Sequence, residues 1–119
     1  MTNFKFRFMQ HPKFQMFQSS ANNQFYFRLK AQNGEIILGS EGYTSKQNCL
    51  AAIASVRLNA PVDLRYERRD SPSNYTFNLK AGNGEIIGKS ENYTSSAARE
   101  NGIAAVKRDA PTAPVEDLT

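Results

Sequence analysis

Apolar and polar residues alternate strictly over Phe25–Lys30: Phe25, Phe27 and Leu29 fall on one side, Tyr26, Arg28 and Lys30 on the other. The alternation returns later, with Tyr75, Phe77 and Leu79 opposed to Thr76, Asn78 and Lys80. A period of two with aromatic content predicts a half-buried strand. Each run leads to an Asn-Gly pair, Asn33-Gly34 or Asn83-Gly84, suited to positive φ in a hairpin turn. A return strand then begins at Glu35-Ile36-Ile37 or Glu85-Ile86-Ile87. Two registers are open. A two-residue loop sets Ile36 and Leu38 with the Leu29 face, whereas a three-residue loop ending in a left-handed Gly34 sets Ile37 there. Gly88 in the place of Leu38 favours Ile37 and Ile87 as core positions, with Ile36 and Ile86 on the opposite face.

The period then changes to that of a helix. Cys49, Ala52, Ile53, Val56 and Ala60 lie on one helical stripe, answered by Arg99, Gly102, Ile103, Val106 and Ala110. Thr44 with Gln47 fits a capping box, and Thr94 or Ser95 can cap the second helix. Both helices are expected to stop at about Asn59 and Asp109, before Ala60-Pro61 and Ala110-Pro111. The small residues Ala52 and Gly102 suggest close approach of helix to sheet. Further alternation predicts opening strands at 13–18 and 64–69 and closing strands at 62–64 and 114–118. The linker would then end one unit and begin the next as one long strand.

These elements come in two copies. Residues 25–61 and 75–111 align without a gap, and 19 of the 37 paired positions are identical. A repeat this clear sets the architecture before any motif is read. The paired Leu-Lys-Ala-x-Asn-Gly-Glu-Ile-Ile, the Ser-Glu-x-Tyr-Thr-Ser and the helix ending in Ala-Pro resemble the YegP-like family of small uncharacterised bacterial proteins. The resemblance covers about residues 13–119. It implies an α+β fold of two tandem β-β-β-α-β repeats. These would form one antiparallel sheet with the helices on one face and exchanged C-terminal strands. It supplies no catalytic or binding residues. The expected organisation is a flexible leader over 1–12 and a single domain over 13–119, with repeat 1 at about 13–63 and repeat 2 at about 64–119.

At 119 residues the two halves must share one core. Composition is ordinary for a globular protein, with 39% hydrophobic and 22% charged residues. No apolar run is long enough to span a bilayer, so no membrane partner is expected. The N-terminal residues interleave Phe with polar groups and lack a secretory apolar core. The single cysteine, Cys49, has no internal partner, and cytoplasm is the expected compartment. A pI near 9.4 invites a nucleic-acid reading. Yet of the net charge of +4, +3 falls in residues 1–24 (Lys5, Arg7 and Lys13, with no acid), leaving the duplicated body nearly neutral.

Two sets of residues are candidates for binding. The first is the pair of Ser-Glu-x-Tyr-Thr-Ser loops: Ser40, Glu41, Tyr43, Thr44 and their counterparts Ser90, Glu91, Tyr93, Thr94. They gather hydroxyls, a carboxylate and a phenol at a helix N-terminus, although capping and packing explain such residues better. The second is the sheet face away from the helices, carrying Tyr26, Arg28, Lys30, Asn78 and Lys80. These are joined by Arg65 and Glu67 or by Tyr66 and Arg68, according to register. Aromatic and basic groups on an open sheet can stack bases and neutralise phosphates, but any solvated β-face looks similar. Catalysis finds little support, because the only histidine, His11, lies in the leader and Cys49 falls on the apolar stripe. The carboxylates Glu35, Glu85, Glu41 and Glu91 could pair across the pseudo-twofold axis, yet turn positions imply exposure. No metal-ligand spacing occurs, and no cofactor is expected. The reading is a non-enzymatic interaction or structural module with a protein partner, and weak nucleic-acid binding is the alternative. A monomer is expected, with a dimer left open.

Overall fold

A computed structural model describes residues 11–119, so that all of the expected leader except His11 and Pro12 lies outside the described residues. Repeat 1 contributes strands β1 (Lys13–Gln18), β2 (Phe25–Lys30) and β3 (Ile36–Gly39) and helix α1 (Lys46–Asn59). Repeat 2 contributes β4 (Tyr66–Asp70), β5 (Tyr75–Lys80), β6 (Ile86–Lys89), helix α2 (Ser96–Asp109) and β7 (Val115–Asp117). The strands form one seven-stranded sheet in the order β4-β5-β6-β3-β2-β1-β7. The architecture is α+β, and both helices pack on the same face around a shared apolar core. Its largest members, Phe14, Phe27 and Phe77, are at most 1% exposed. Burial of each such ring contributes about 1.5–3 kcal/mol.

The two repeats meet edge to edge where Gly39 of β3 faces Lys89 of β6. That seam is short, and the helices reinforce it by crossing over. α1 lies on β2 and also on β5 and β6; α2 lies on β5 and also on β3. C-terminal strands are exchanged as expected: β4 follows α1 but pairs with β5, and β7 follows α2 but pairs with β1. One detail differs from a purely antiparallel sheet, because β7 runs parallel to β1. Phe14 N–H donates to Pro114 O at 2.8 Å and Leu118 N–H donates to Met16 O at 2.8 Å. Arg57 Nη2 reaches Ala113 O at 2.6 Å and Lys46 reaches Asp117 at 2.7 Å, so α1 also holds this last strand.

The hairpins combine both registers left open by the sequence. Gly34 N–H donates to Ala31 O at 2.9 Å and Ala31 N–H to Glu35 O at 2.9 Å, a three-residue loop with Gly34 at φ 82°. The second copy repeats this with Gly84 at φ 89°. In each turn the Asn side chain accepts the Glu backbone N–H at 3.0 Å, which accounts for Asn33 and Asn83. A bulge follows: Lys30 faces Ile36 but Leu29 faces Leu38, leaving Ile37 extra. The bulge turns Ile37 and Leu38 both inward, while Ile36 is half-buried on the outer face. In β6 the residue facing Leu79 is Gly88. A Cβ there would lie 2.7 Å from Leu38 Cγ and Cδ2, so one leucine fills the space of two.

The helices end at Asn59 and Asp109, ahead of the Ala-Pro pairs, and the expected stripes are buried. Capping differs from the expected Thr44–Gln47 box. Ser45 is the cap of α1, accepting Asn48 N–H at 3.0 Å, and Ser95 caps α2 through Ala98 N–H at 3.0 Å. Ser45 is the residue whose extended backbone (φ −133°, ψ 152°) turns its side chain back on the first turn. Gly102 also has a different reason from the expected one. A Cβ on it would meet Tyr93 Oη at 2.3 Å, so the small residue makes room for a tyrosine rather than for the sheet. Nor is there a strand at 62–64: Asp63–Arg65 is a 3-10 turn. Val62 N–H returns to Asn59 O and Arg65 N–H to Val62 O, both at 3.0 Å, so after Pro61 the chain curls before it extends.

Candidate functional site

Most of the Ser-Glu-x-Tyr-Thr-Ser motif has structural work. Phe27 N–H donates to Ser40 Oγ at 2.9 Å, and Ser40 in turn donates to Glu41 O at 2.9 Å; Ser90 does the same for Phe77 and Glu91. These hydroxyls replace the next ladder bond where the return strand ends. Tyr43 is bridged to Phe25 by a reciprocal pair of backbone bonds of 2.7 and 2.8 Å, and Tyr93 to Tyr75 by two of 2.9 Å. The Tyr93 ring stacks on Phe77 at 6.5 Å. What is left over is specific: Glu41, Thr44, Glu91 and Thr94 are exposed and their side chains make no hydrogen bond or ion pair among the described residues.

Glu35 and Glu85 share that lack of an ion pair among the described residues, and the fold brings them to the same places. A cleft of about 350 Å³ is lined by Asn33, Glu35 and Ile37 of one repeat and by Tyr93, Asn101, Gly102 and Arg108 of the other. Its counterpart, of about 380 Å³, is lined by Asn83, Glu85 and Ile87 of repeat 2 and by Tyr43, Asn48 and Ala52 of repeat 1. Each cleft therefore joins the turn of one repeat to the tyrosine and helix of the other. The Tyr43 phenol is pushed up from its ordinary value by burial first, then by the charges of Cys49, Glu41 and Glu85. Burial, Glu91 and Glu35 do the same to Tyr93. Two carboxylates, one from each repeat, thus act on each tyrosine hydroxyl above an apolar floor. Of the four glutamates, Glu35 and Glu85 line the clefts, each open to solvent beside the other repeat's tyrosine.

The outer face of the sheet is the second candidate. Core residues Phe14, Met16, Phe27, Leu29, Phe77 and Leu79 point to the helices, so the residues between them point away. Tyr26, Arg28, Lys30, Asn78 and Lys80 all lie there, joined by Glu67 rather than Tyr66, whose hydroxyl is buried against Ala60 O at 2.7 Å. Arg68 turns to the helix side, where Glu100 and Asp63 hold it at 2.8 and 3.1 Å. Tyr26 stacks on Phe17 with ring centroids 5.8 Å apart, and the Arg28 guanidinium lies 4.7 Å from the Phe17 centroid. Phe17, Lys13 and Lys89 belong to this face and were missed in the sequence, because β1 and β6 had no secure register there.

Among the described residues, groups suited to nucleophilic chemistry are not assembled. Cys49 is fully buried, and burial pushes its thiol up to about 11. Arg99 takes the equivalent position in α2, reaching out to Asp70 and lying 5.7 Å from the Tyr75 centroid. A surface depression of about 420 Å³ holds His11 beside Asp109, with no cysteine or serine in its lining. Among the described residues no group of three His, Cys, Asp or Glu side chains is placed to hold a metal ion. None of their helices is long and apolar enough to cross a membrane.

Comparison with known proteins agrees with this architecture. The family model described as "Domain of unknown function (DUF1508)" matches twice, at residues 20–67 and 70–117. The UPF0339 protein in the ptx operon 5' region of Stutzerimonas stutzeri is 52% identical over 58 residues, 49% of this chain and 51% of that protein. The UPF0339 protein YegP of Escherichia coli K12 is 58% identical over 50 residues, 42% of this chain and 46% of that protein. The chain thus spans about half the length of these curated relatives. Two solution NMR structures align more fully. A UPF0339 protein from Shewanella oneidensis has a TM-score of 0.86 at 44% identity, covering 92% of this chain and 93% of that one. The yegP protein of E. coli, whose function is described as unknown, has a TM-score of 0.85 at 46% identity, covering 93% and 96%.

Proposed function

Since the chain belongs to the DUF1508 family, whose domains have no assigned function, we propose that it is a non-enzymatic interaction module of the cytoplasm that holds a protein partner in its two cross-repeat clefts. The observation that carries this reading is the pair Glu35 and Glu85. Both copies keep the residue and neither folds it into an ion pair among the described residues, yet each lies in a cleft with the other repeat's tyrosine. Folding accounts for Asn33, Ser40, Ser45 and Ile37, but it does not account for these carboxylates.

The chemistry of the partner follows from the lining. Each cleft is shallow, open to water and floored by Ile and small helix residues, a shape for side chains rather than for an enclosed small molecule. Carboxylates around a phenol favour lysine or arginine, whose aliphatic stem packs on the ring while the charge meets the glutamates. Two like clefts allow two such contacts from one partner, which raises affinity through effective concentration.

Tagged protein is mixed with nuclease-treated cell extract beside the Glu35→Arg/Glu85→Arg variant, and the retained proteins are identified. A protein held by the parent and lost from the folded variant supports the reading. Identical retained sets, with the variant's melting temperature unchanged, would refute it.

A further inference from the structure

The register of the sheet places residues far apart in sequence in one row. On the outer face, Glu67 faces Asn78, Asn78 faces Lys89, Lys89 faces Gly39, Gly39 faces Arg28, Arg28 faces Gln15 and Gln15 faces Glu116. This row crosses all seven strands, a width of about 29 Å at roughly 4.8 Å per strand gap. On one side of it, Lys80 faces Ile86 and Phe17 faces Tyr26. On the other, Ile36 faces Lys30, Lys30 faces Lys13 and Arg69 faces Thr76.

The face therefore carries six basic side chains (Lys13, Arg28, Lys30, Arg69, Lys80, Lys89) against two acidic ones (Glu67, Glu116). Glu67 is held by Lys80 at 3.2 Å and Arg69 at 3.6 Å, and Glu116 by Lys13 at 3.1 Å. Arg28, Lys30 and Lys89 make no ion pair among the described residues. Beside them stands the Phe17–Tyr26 stack, half-buried and topped by Arg28. The clefts that hold Glu35 and Glu85, by contrast, open between turns and helices.

We infer that this outer sheet face is a second binding surface, one for single-stranded nucleic acid, with Lys30, Lys89 and Arg28 on phosphates and the Tyr26–Phe17 stack as the platform for a base. A flat array of cations attracts any polyanion, but a ring pair with a guanidinium beside it is suited to a base, which a protein carboxylate does not offer. An acidic protein is the competing occupant, and the stack is what weighs against it.

The test uses the full chain and fluorescence anisotropy with labelled dT12 and rU12, a 12-base-pair duplex, heparin and a poly-glutamate peptide. Single strands are expected to bind, with log K falling against log salt at a slope of about −2 to −4 for three to six phosphates. Lys30→Gln/Lys89→Gln reduces that slope by about 1.4. Tyr26→Leu weakens single strands about tenfold and leaves heparin unchanged. Lys5→Gln/Arg7→Gln, outside the described residues, leaves the Tyr26 effect intact. Circular dichroism and melting of each variant confirm folding. Single-strand binding weaker than millimolar at 50 mM salt would overturn the inference. So would equal effects of Tyr26→Leu on heparin and strands, or poly-glutamate binding as tight as the strands. None of these outcomes bears on the clefts.

Discussion

Leu38 and Gly88 occupy equivalent places on either side of the seam, and replacing them in turn asks whether the halves are packed as one core. Leu38 is fully buried, so Leu38→Ala should cost about 2–5 kcal/mol. Gly88 does not have a positive φ, so an alanine there meets no backbone strain. Its Cβ instead meets Leu38 at 2.7 Å, and Gly88→Ala should cost about 1–3 kcal/mol by overpacking. In the Leu38→Ala background that clash is gone. The glycine replacement should then be neutral or stabilise by about 0.5–1 kcal/mol, because glycine weakens a strand. The two changes should depart from additivity by about 2 kcal/mol, within the range for side chains in contact. Urea unfolding of the four proteins measures this, provided their m values agree. Additive losses would refute the argument that one leucine fills the place of two.

Two further predictions rest on local contacts. Ser45→Ala and Ser95→Ala should each lower stability by about 1 kcal/mol, whereas Thr44→Ala and Thr94→Ala should leave the urea midpoint unchanged; the reverse order would restore the threonines as caps. Lys46, with help from Thr119, holds the Asp117 carboxyl down at about 2, below its ordinary 3.8. A depressed carboxyl stabilises above its unfolded value, so the anchorage of β7 is present above about pH 4 and is lost as pH falls toward 2. The protection factor of the Leu118 amide, measured by NMR hydrogen exchange, should fall over that interval, and should fall less in Asp117→Asn. An unchanged protection factor at pH 2 would show that β7 is held by backbone bonds alone.

Strands, turns and helix ends were legible because local rules set them: alternation marks Phe25–Lys30, Asn33-Gly34 needs a positive φ, and Pro61 forbids another helical turn. The bulge at Ile37 was not legible, since strict alternation allows only one of two neighbouring residues to face inward, whereas Ile37 and Leu38 both do. Serine and threonine are both capping residue types, and only the backbone angle selects Ser45 over Thr44. The expected strand at 62–64 failed because apolar alternation cannot tell an extended segment from a single tight turn. Charge was misleading in a more general way. Summed along the chain, the duplicated body is nearly neutral, but the pleat sorts side chains by face and collects six cations on one of them. The clefts were hidden for a related reason. Aligning copy with copy sets Glu35 against Glu85, whereas the fold sets Glu35 with Tyr93 and Glu85 with Tyr43.

The pairing of β7 with β1 joins residues about a hundred positions apart, Phe14 with Val115 and Met16 with Asp117. During synthesis β1 emerges about a hundred residues before β7, so β2 covers one of its edges while the other must wait for Val115–Asp117. Until they emerge, the nascent protein presents Phe14 and Met16 beside an open ladder. Closing the sheet therefore waits for β7, and a chain stopped short of Val115 would keep a sticky edge that pairing with β7 covers.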